Sequence, residues 1–264
     1  MNPFLRTLII ILTFATTARS ADAHFQLIYT PEPNLEKPSE IPLNLIFWHP
    51  FANGHVMDMQ KPDAFFSLHK DKKTDLINAL KPITFEGAAN KATAFEAVIS
   101  IKRPGDHIFA LIPAPYFETS EDQFIQQITK SFVNVAGVPT DWSKPVGLPT
   151  EIIPLNKPTN ILSGSTFTGR VLSSQKPASG VEIEIEFMAA EPDVKTRKAK
   201  PPTASPPPGG SIVVISDDNG VFTFGIPKPG FWGFAALGSG PQKTHDGKPL
   251  SQDAVLWIRA YDVK

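Results

Sequence analysis

The chain contains no cysteine. That absence excludes disulfide frameworks, thiolate-held zinc or iron–sulfur centres and any cysteine nucleophile. A surplus of either charge is also missing: 25 Lys and Arg stand against 26 Asp and Glu, a formal net charge of −1. Nucleic-acid binders usually carry a basic excess, so the balance argues against that class. Beyond the first residues no apolar run approaches the roughly 18 residues that a membrane-crossing helix needs. Enzyme signatures are lacking too. There is no G-x-S-x-G elbow, P-loop, H-E-x-x-H pair or G-x-G-x-x-G turn, and Gly238-Ser239-Gly240 lacks a strand–turn–helix context. No enzyme activity is expected.

What is abundant points to strands and loops. The 264 residues include 27 prolines, roughly twice the usual share of about 5%. Helix interiors reject proline. The expected fold is therefore all-β with little helix.

The N-terminus reads as an export signal. A basic Arg6 precedes the apolar stretch Leu8 to Ala15, and Ala21-Asp22-Ala23 supplies an A-x-A cleavage site. Residues 1–23 are the expected signal peptide; an uncleaved anchor or a cut after Ala18 are the alternatives. Cleavage after Ala23 would make His24 the first residue. Its free amine and imidazole would then form a chelating pair for a metal ion.

Residues 24–155 form the first expected unit. Strands are predicted at Phe25 to Tyr29, Leu43 to Trp48, Phe65 to His69, Ala94 to Ile101 and His107 to Ile112. Leu43 to Trp48 is apolar on both faces and expected to be buried. Asp75 to Leu80 suits one short helix, and Gln123 to Val135 is read as a strand. Pro139 to Pro158 reads as an extended connector. Residues 156–264 form the second unit, a small antiparallel sandwich. In it Val181 to Phe187 alternates apolar and acidic residues, so Glu182, Glu184 and Glu186 are expected on an exposed face. Ser211 to Ile215 and Val221 to Ile226 are expected to flank a tight turn at Asn219-Gly220. The tract 190–210, rich in Pro and Gly with basic residues at 195–200, is read as a mobile hairpin loop.

Six histidines carry the candidate chemistry. His49, His55, Met57 and Met59 fall within eleven residues in a loop after a buried strand, with Asp58 placed to ligate or to orient an imidazole. Imidazole suits nickel, cobalt, copper and zinc, and thioether prefers soft ions. His245 sits beside Asp246 in a polar loop of the second unit. His69 and His107 lie within strand patterns and read as structural or solvent-facing.

Several segments together resemble the DUF4198-type periplasmic proteins, many of which are encoded beside ECF-type nickel/cobalt transporters. They are Ala23-His24-Phe25, Phe47 to Pro62, Lys73 to Leu76, Gly147 to Leu155, Gly220 to Phe224, Gly230 to Ala236, His245 to Gly247 and Ala254 to Arg259. The second unit is also similar to carboxypeptidase-regulatory and transthyretin-like sandwiches. The resemblance implies two β-sandwich domains in tandem and a periplasmic accessory of nickel or cobalt uptake. Its implied metal ligands are His24, His49, Met57 and His245, with His55 inside the matched segment. A membrane transporter would be the partner, and Ni²⁺ or Co²⁺ the ion. Two other readings stand beside this one: a non-catalytic interaction module of the cell envelope, and a copper protein using a terminal-histidine brace.

Overall fold

A computed structural model describes residues 24–208 and 211–263. The expected signal peptide, residues 1–23, lies outside the described residues. The protein is almost entirely β, as its proline content implies. Helix among the described residues amounts to one 3₁₀ turn, Ile77–Ala79, inside the stretch expected to form a short helix. The strands build a seven-, a twelve- and a four-stranded sheet among the described residues.

The seven-stranded sheet is built around Phe25–Tyr29, Ser39–Trp48, Lys91–Ile101 and Lys81–Glu86, paired in that order. Both of its faces are covered. Leu43, Leu45 and Phe47 pack with Phe65, Phe109, Leu111 and Val133 in one core. Their chain neighbours Ile46 and Trp48 pack the opposite way, with Phe25, Leu27, Phe231 and Trp257. Strand side chains alternate between faces, so a strand walled on both sides is apolar on both. That is why Leu43 to Trp48 is almost wholly apolar, with the buried Asn44 its one polar residue.

The twelve-stranded sheet joins the two halves of the chain. Gln123–Val135 pairs antiparallel with Gly105–Ile112 on one side and parallel with Lys248–Tyr261 on the other. The sheet continues through Gly230–Ala236, Glu182–Phe187 and Ile212–Ile215 in one direction and through Ala64–His69 and Lys72–Asp75 in the other. Beside the Gln123–Val135/Lys248–Tyr261 seam lies the edge strand Phe25–Tyr29. Its Gln26 amide donates to Gln127 Oε1 at 2.8 Å, and its Gln26 carbonyl accepts the indole of Trp257 at 2.9 Å. Side chains thus satisfy backbone groups that an edge strand would otherwise leave bare.

The four-stranded sheet, Thr150–Pro154, Thr166–Ser173, Lys176–Pro177 and Val221–Gly225, closes a sandwich over the C-terminal end of the long sheet. Phe167, Val171 and Phe222 meet Ile183, Ile185, Trp232 and Phe234 in its core. Thr150–Pro154 falls within the proline-rich stretch read as a connector, and it is paired with Thr166–Ser173.

Three expectations are corrected. Glu184 and Glu186 are not on an exposed face: they are only 7% and 4% exposed. The loop after Trp48 meets Glu186, whose Oε1 accepts the Phe51 amide at 2.7 Å, and the Ser211 hydroxyl bonds the Glu184 carboxylate. The tract 190–210 is not a free loop over its first half. Pro192–Asp193 pairs with Lys198–Ala199, Lys198 pairs with Glu86, and Arg197 bonds Glu96 at 2.8 Å. Its basic residues find acidic partners on the neighbouring sheet. Finally, Ile212–Ile215 and Val221–Gly225 are not a hairpin but belong to different sheets. The segment between them is a corner, in which Asp217 Oδ1 accepts the amides of Asn219 and Val221 and Gly220 takes φ +72°.

Candidate functional site

Register brings two of the candidate histidines together. Phe25 pairs with Trp48 in the antiparallel ladder, so His24 and His49 extend from adjacent strand ends. Their ring centroids are 4.3 Å apart, tilted at 51°. The loop after His49 closes tightly upon it. Asn53 takes a left-handed φ of +49°, and the Gly54 amide donates to the His49 carbonyl at 3.0 Å. A Cβ on Gly54 would come within 3.2 Å of His49 Cβ, so a side chain there would press directly on the histidine.

A third group comes from the short strand Tyr116–Glu118. Glu118 Oε2 is 3.3 Å from His24 Nε2, while Glu118 Oε1 accepts both the amide and the hydroxyl of Ser120. Partial burial alone would raise the Glu118 carboxyl. The Ser120 bonds and the facing His24 and His49 outweigh it and hold the group below its ordinary range. Phe47 and Tyr116 flank His24 at 5.6 and 6.4 Å between ring centroids and meet each other nearly edge-on. Burial, with Glu118 and Asp58 nearby, pushes the Tyr116 phenol up.

Phe47 and Tyr116 also line a cleft of about 460 Å³. Its floor is buried and held by hydrogen bonds: Gln26 Nε2 donates to the Ile46 carbonyl, and Gln127 receives the Gln26 amide. Asp58, Gln60 and Thr93 stand at its rim, with Asp58 Oδ1 accepting the Thr93 amide at 2.7 Å.

Over residues 21–240 the sequence matches the family described as a domain of unknown function, DUF4198. The chain belongs to that family. No curated protein matches it in sequence. Solved structures similar to it include the D0-D1 domain of intimin, at 13% identity over 87% of this chain and 95% of that one, with a TM-score of 0.21. The adhesin InvE of Yersinia pseudotuberculosis is similar at 13% identity over 88% and 58% of the respective chains, TM-score 0.23. The fibronectin(III)-like modules of Clostridium thermocellum CbhA are similar at 9% identity over 89% and 95%, TM-score 0.20.

The other expected ligands of this DUF4198 protein lie in different surroundings. His55 is exposed on the loop. Met57 is 2% exposed and packs into the apolar core with Phe47 and Met59. His245 sits edge-on to Phe124 at 4.7 Å, with Asp246 at 3.6 Å. Among the described residues no three His, Asp or Glu side chains form a set arranged to hold a metal ion. His24 and His49 thus make a two-imidazole pair with Glu118 beside it. His69 and His107 stack face to face, 4.2 Å apart and 6° from parallel, away from this pair in the neighbouring sheet. No helix of the described residues is long and apolar enough to cross a membrane.

Sequence reasoning missed Glu118, Tyr116 and the cleft. Only the pairing of Tyr116–Glu118 with Gln123–Val135 carries these residues to His24, and no local spacing encodes it. The faint signal was alternation: Tyr116 and Glu118 are two apart on a strand and so share a face.

Proposed function

We propose that this protein is an exported, non-catalytic metal-binding accessory of nickel or cobalt uptake in the periplasm. It takes two donors from the imidazoles of His24 and His49, with Glu118 beside the pair. The observation that carries the reading is the 4.3 Å approach of the two rings, with Glu118 Oε2 3.3 Å from His24 Nε2. Imidazole and carboxylate together suit borderline divalent ions, and the donor set contains no thiolate that would favour Cu(I). If processing exposes the His24 amine, that nitrogen adds a further donor. A membrane transporter then receives the ion.

The test is isothermal titration of Ni²⁺ and Co²⁺ into the protein processed from its own leader, beside His49→Ala and a form with one extra residue before His24. Saturable one-to-one binding that His49→Ala weakens is the expected result. Equal affinity for the extended form would remove the amine from the site. Equal affinity for His49→Ala would remove the pair.

A second reading, an envelope interaction module, draws on one observation. Ile212–Ile215 is an edge strand of the long sheet and exposes Val213 and Ile215. An apolar edge strand is a template for pairing with another chain. Ion titrations that show no binding would favour this reading.

A further inference from the structure

None of His24, His49 and Glu118 lines the cleft of about 460 Å³, so it is a separate feature of the molecule. Its volume lies within the range of small-molecule sites. Three kinds of surface wall it. Phe47 and Tyr116 meet nearly edge-on with ring centroids 5.5 Å apart, which makes an aromatic corner. Met59 and Ile125, both buried, add apolar surface. Gln26 and Gln127 form a buried polar floor, 1% and 4% exposed.

The floor and rim chiefly offer acceptors. Gln26 Nε2 donates to the Leu27 and Ile46 carbonyls, at 3.1 Å each, so Oε1 is the atom its amide has left for a ligand. At the rim the exposed Asp58 gives Oδ1 to the Thr93 amide at 2.7 Å and makes no ion pair among the described residues. No Lys or Arg lines the cleft. Lys248 lies over the Phe117 ring at 4.7 Å, but its ammonium pairs with Asp122. Burial, then the carboxylates of Glu118 and Asp58, push the Tyr116 phenol up, so the field at that ring is negative.

Charge therefore selects the ligand. An anion would meet Asp58 with no countercharge in the lining. A cation would find a carboxylate at the rim and the negative faces of two aromatic rings beside it. The apolar wall adds a place for a hydrocarbon body, which a bare metal ion lacks. We propose that the cleft binds a small organic ammonium ion, with its charge toward Asp58 and its apolar body against Phe47 and Tyr116. This site needs no metal and does not rest on the metal reading above.

The experiment uses three probes that share a phenyl body and differ in charge: 2-phenylethylammonium, 2-phenylethanol and phenylacetate. Methyl glucoside represents a neutral polyol. Each is titrated into the leader-processed protein with EDTA present, and binding is followed by protein NMR. The ammonium ion is expected to bind about tenfold tighter than the alcohol, with phenylacetate and the glucoside weaker than the alcohol. Asp58→Asn keeps an oxygen for the Thr93 amide. It should weaken the ammonium ion about threefold and leave the alcohol unchanged. Gln60→Trp fills the cleft from an exposed position and should abolish binding of both, with circular dichroism to check the fold. Equal affinity for ammonium ion and alcohol overturns the proposal, as does an ammonium affinity that Asp58→Asn leaves unchanged. Tightest binding of the glucoside would make the cleft a carbohydrate site instead. Wild-type affinity in a folded Gln60→Trp would put the ligand elsewhere, and no binding of any probe at millimolar concentration removes the ammonium class. Each of these failures leaves the metal reading standing.

Discussion

His24 and His49 stand with ring centroids 4.3 Å apart because Phe25 and Trp48 are cross-strand partners. Their proximity is a property of strand register, and it can be tested through register. A one-residue slip would turn one imidazole to the opposite face of the sheet. Gly54 guards the geometry on the His49 side. Gly54→Val is therefore expected to disturb His49 and weaken nickel binding by about tenfold, while costing only about 1 kcal/mol of stability, since the residue lies in a loop at the surface. Titration calorimetry beside urea unfolding separates the two effects. A variant that binds nickel normally would show that the loop does not position His49.

A second relationship ties the twelve-stranded sheet to the four-stranded one. Lys130 Nζ and Glu151 Oε2 are 2.8 Å apart with their side chains 1% and 0% exposed. Glu151 also accepts the amides of Val146 and Gly147. Burial alone would raise its carboxyl, but Lys130 and the two amides outweigh burial and hold it down; burial pulls the Lys130 ammonium down in turn. Removing one partner strands a buried charge, so Lys130→Met should cost about 3–5 kcal/mol in urea unfolding. Lys130→Met with Glu151→Leu should recover part of that loss, because no lone charge remains. The recovery is incomplete, since the Val146 and Gly147 amides lose their acceptor. A double variant no more stable than the single one would show that the amide bonds, not the ion pair, dominate.

Much of the architecture was readable from local patterns. Strand after strand followed from alternation, and the double-sided burial of Leu43 to Trp48 followed from apolar residues on both of its faces. Local pattern fails where a distant segment supplies the environment. Alternation correctly placed Glu184 and Glu186 on one face of Glu182–Phe187, but it carried no sign that Phe51 would reach Glu186 or that Ser211 would bond Glu184. The same holds for the tract after residue 190, whose charges are neutral in effect only because Glu86 and Glu96 await them on another sheet. Of the expected ligands, the local cluster misled most: Met57 is two residues from His55, yet the strand Val56–Met57 sends the methionine into the core while His55 stays exposed. The pair that did meet, His24 with His49, is joined by strand pairing and not by spacing.

Burial of Glu184 makes stability depend on pH. Desolvation, helped by Glu182 and Asp253, raises its carboxyl from 4.5 to about 7, and Ser211 only partly offsets the rise. Between those values the folded protein keeps a proton that the unfolded chain has released. Stability contributed by this group is complete below pH 4.5 and is lost as pH rises through 7, by about 3 kcal/mol in all. Asp253, raised by its own burial, acts in the same direction. Glu184→Gln should flatten the trend and stabilise the protein at pH 8. Urea midpoints at pH 5, 6, 7 and 8 measure it. An unchanged slope in the variant would assign the effect elsewhere.

The stacked histidines work against that trend from the acid side. His107 donates through Nε2 to the Arg103 carbonyl, and His69 through Nδ1 to the Asp106 carbonyl, so the two rings are held 4.2 Å apart. Burial, with the neighbouring His69, lowers the His107 pKa from its ordinary 6.5, more than its bond to Arg103 and the nearby Asp106 raise it. Below 6.5 the unfolded chain takes up a proton that folded His107 refuses, so its contribution is present above that pH and is lost as pH falls. Gly105 permits the arrangement: at φ +120° a Cβ would lie 3.0 Å from His69 Cε1. His107→Phe keeps a flat ring over His69 but removes the titrating group. It should cost about 1 kcal/mol at pH 7 through the lost bond to Arg103, and less at pH 5, where the wild type has already lost the contribution of His107. Urea unfolding at the two pH values gives the difference directly. A cost that is equal at both would mean that the stack is structural and carries no pH dependence.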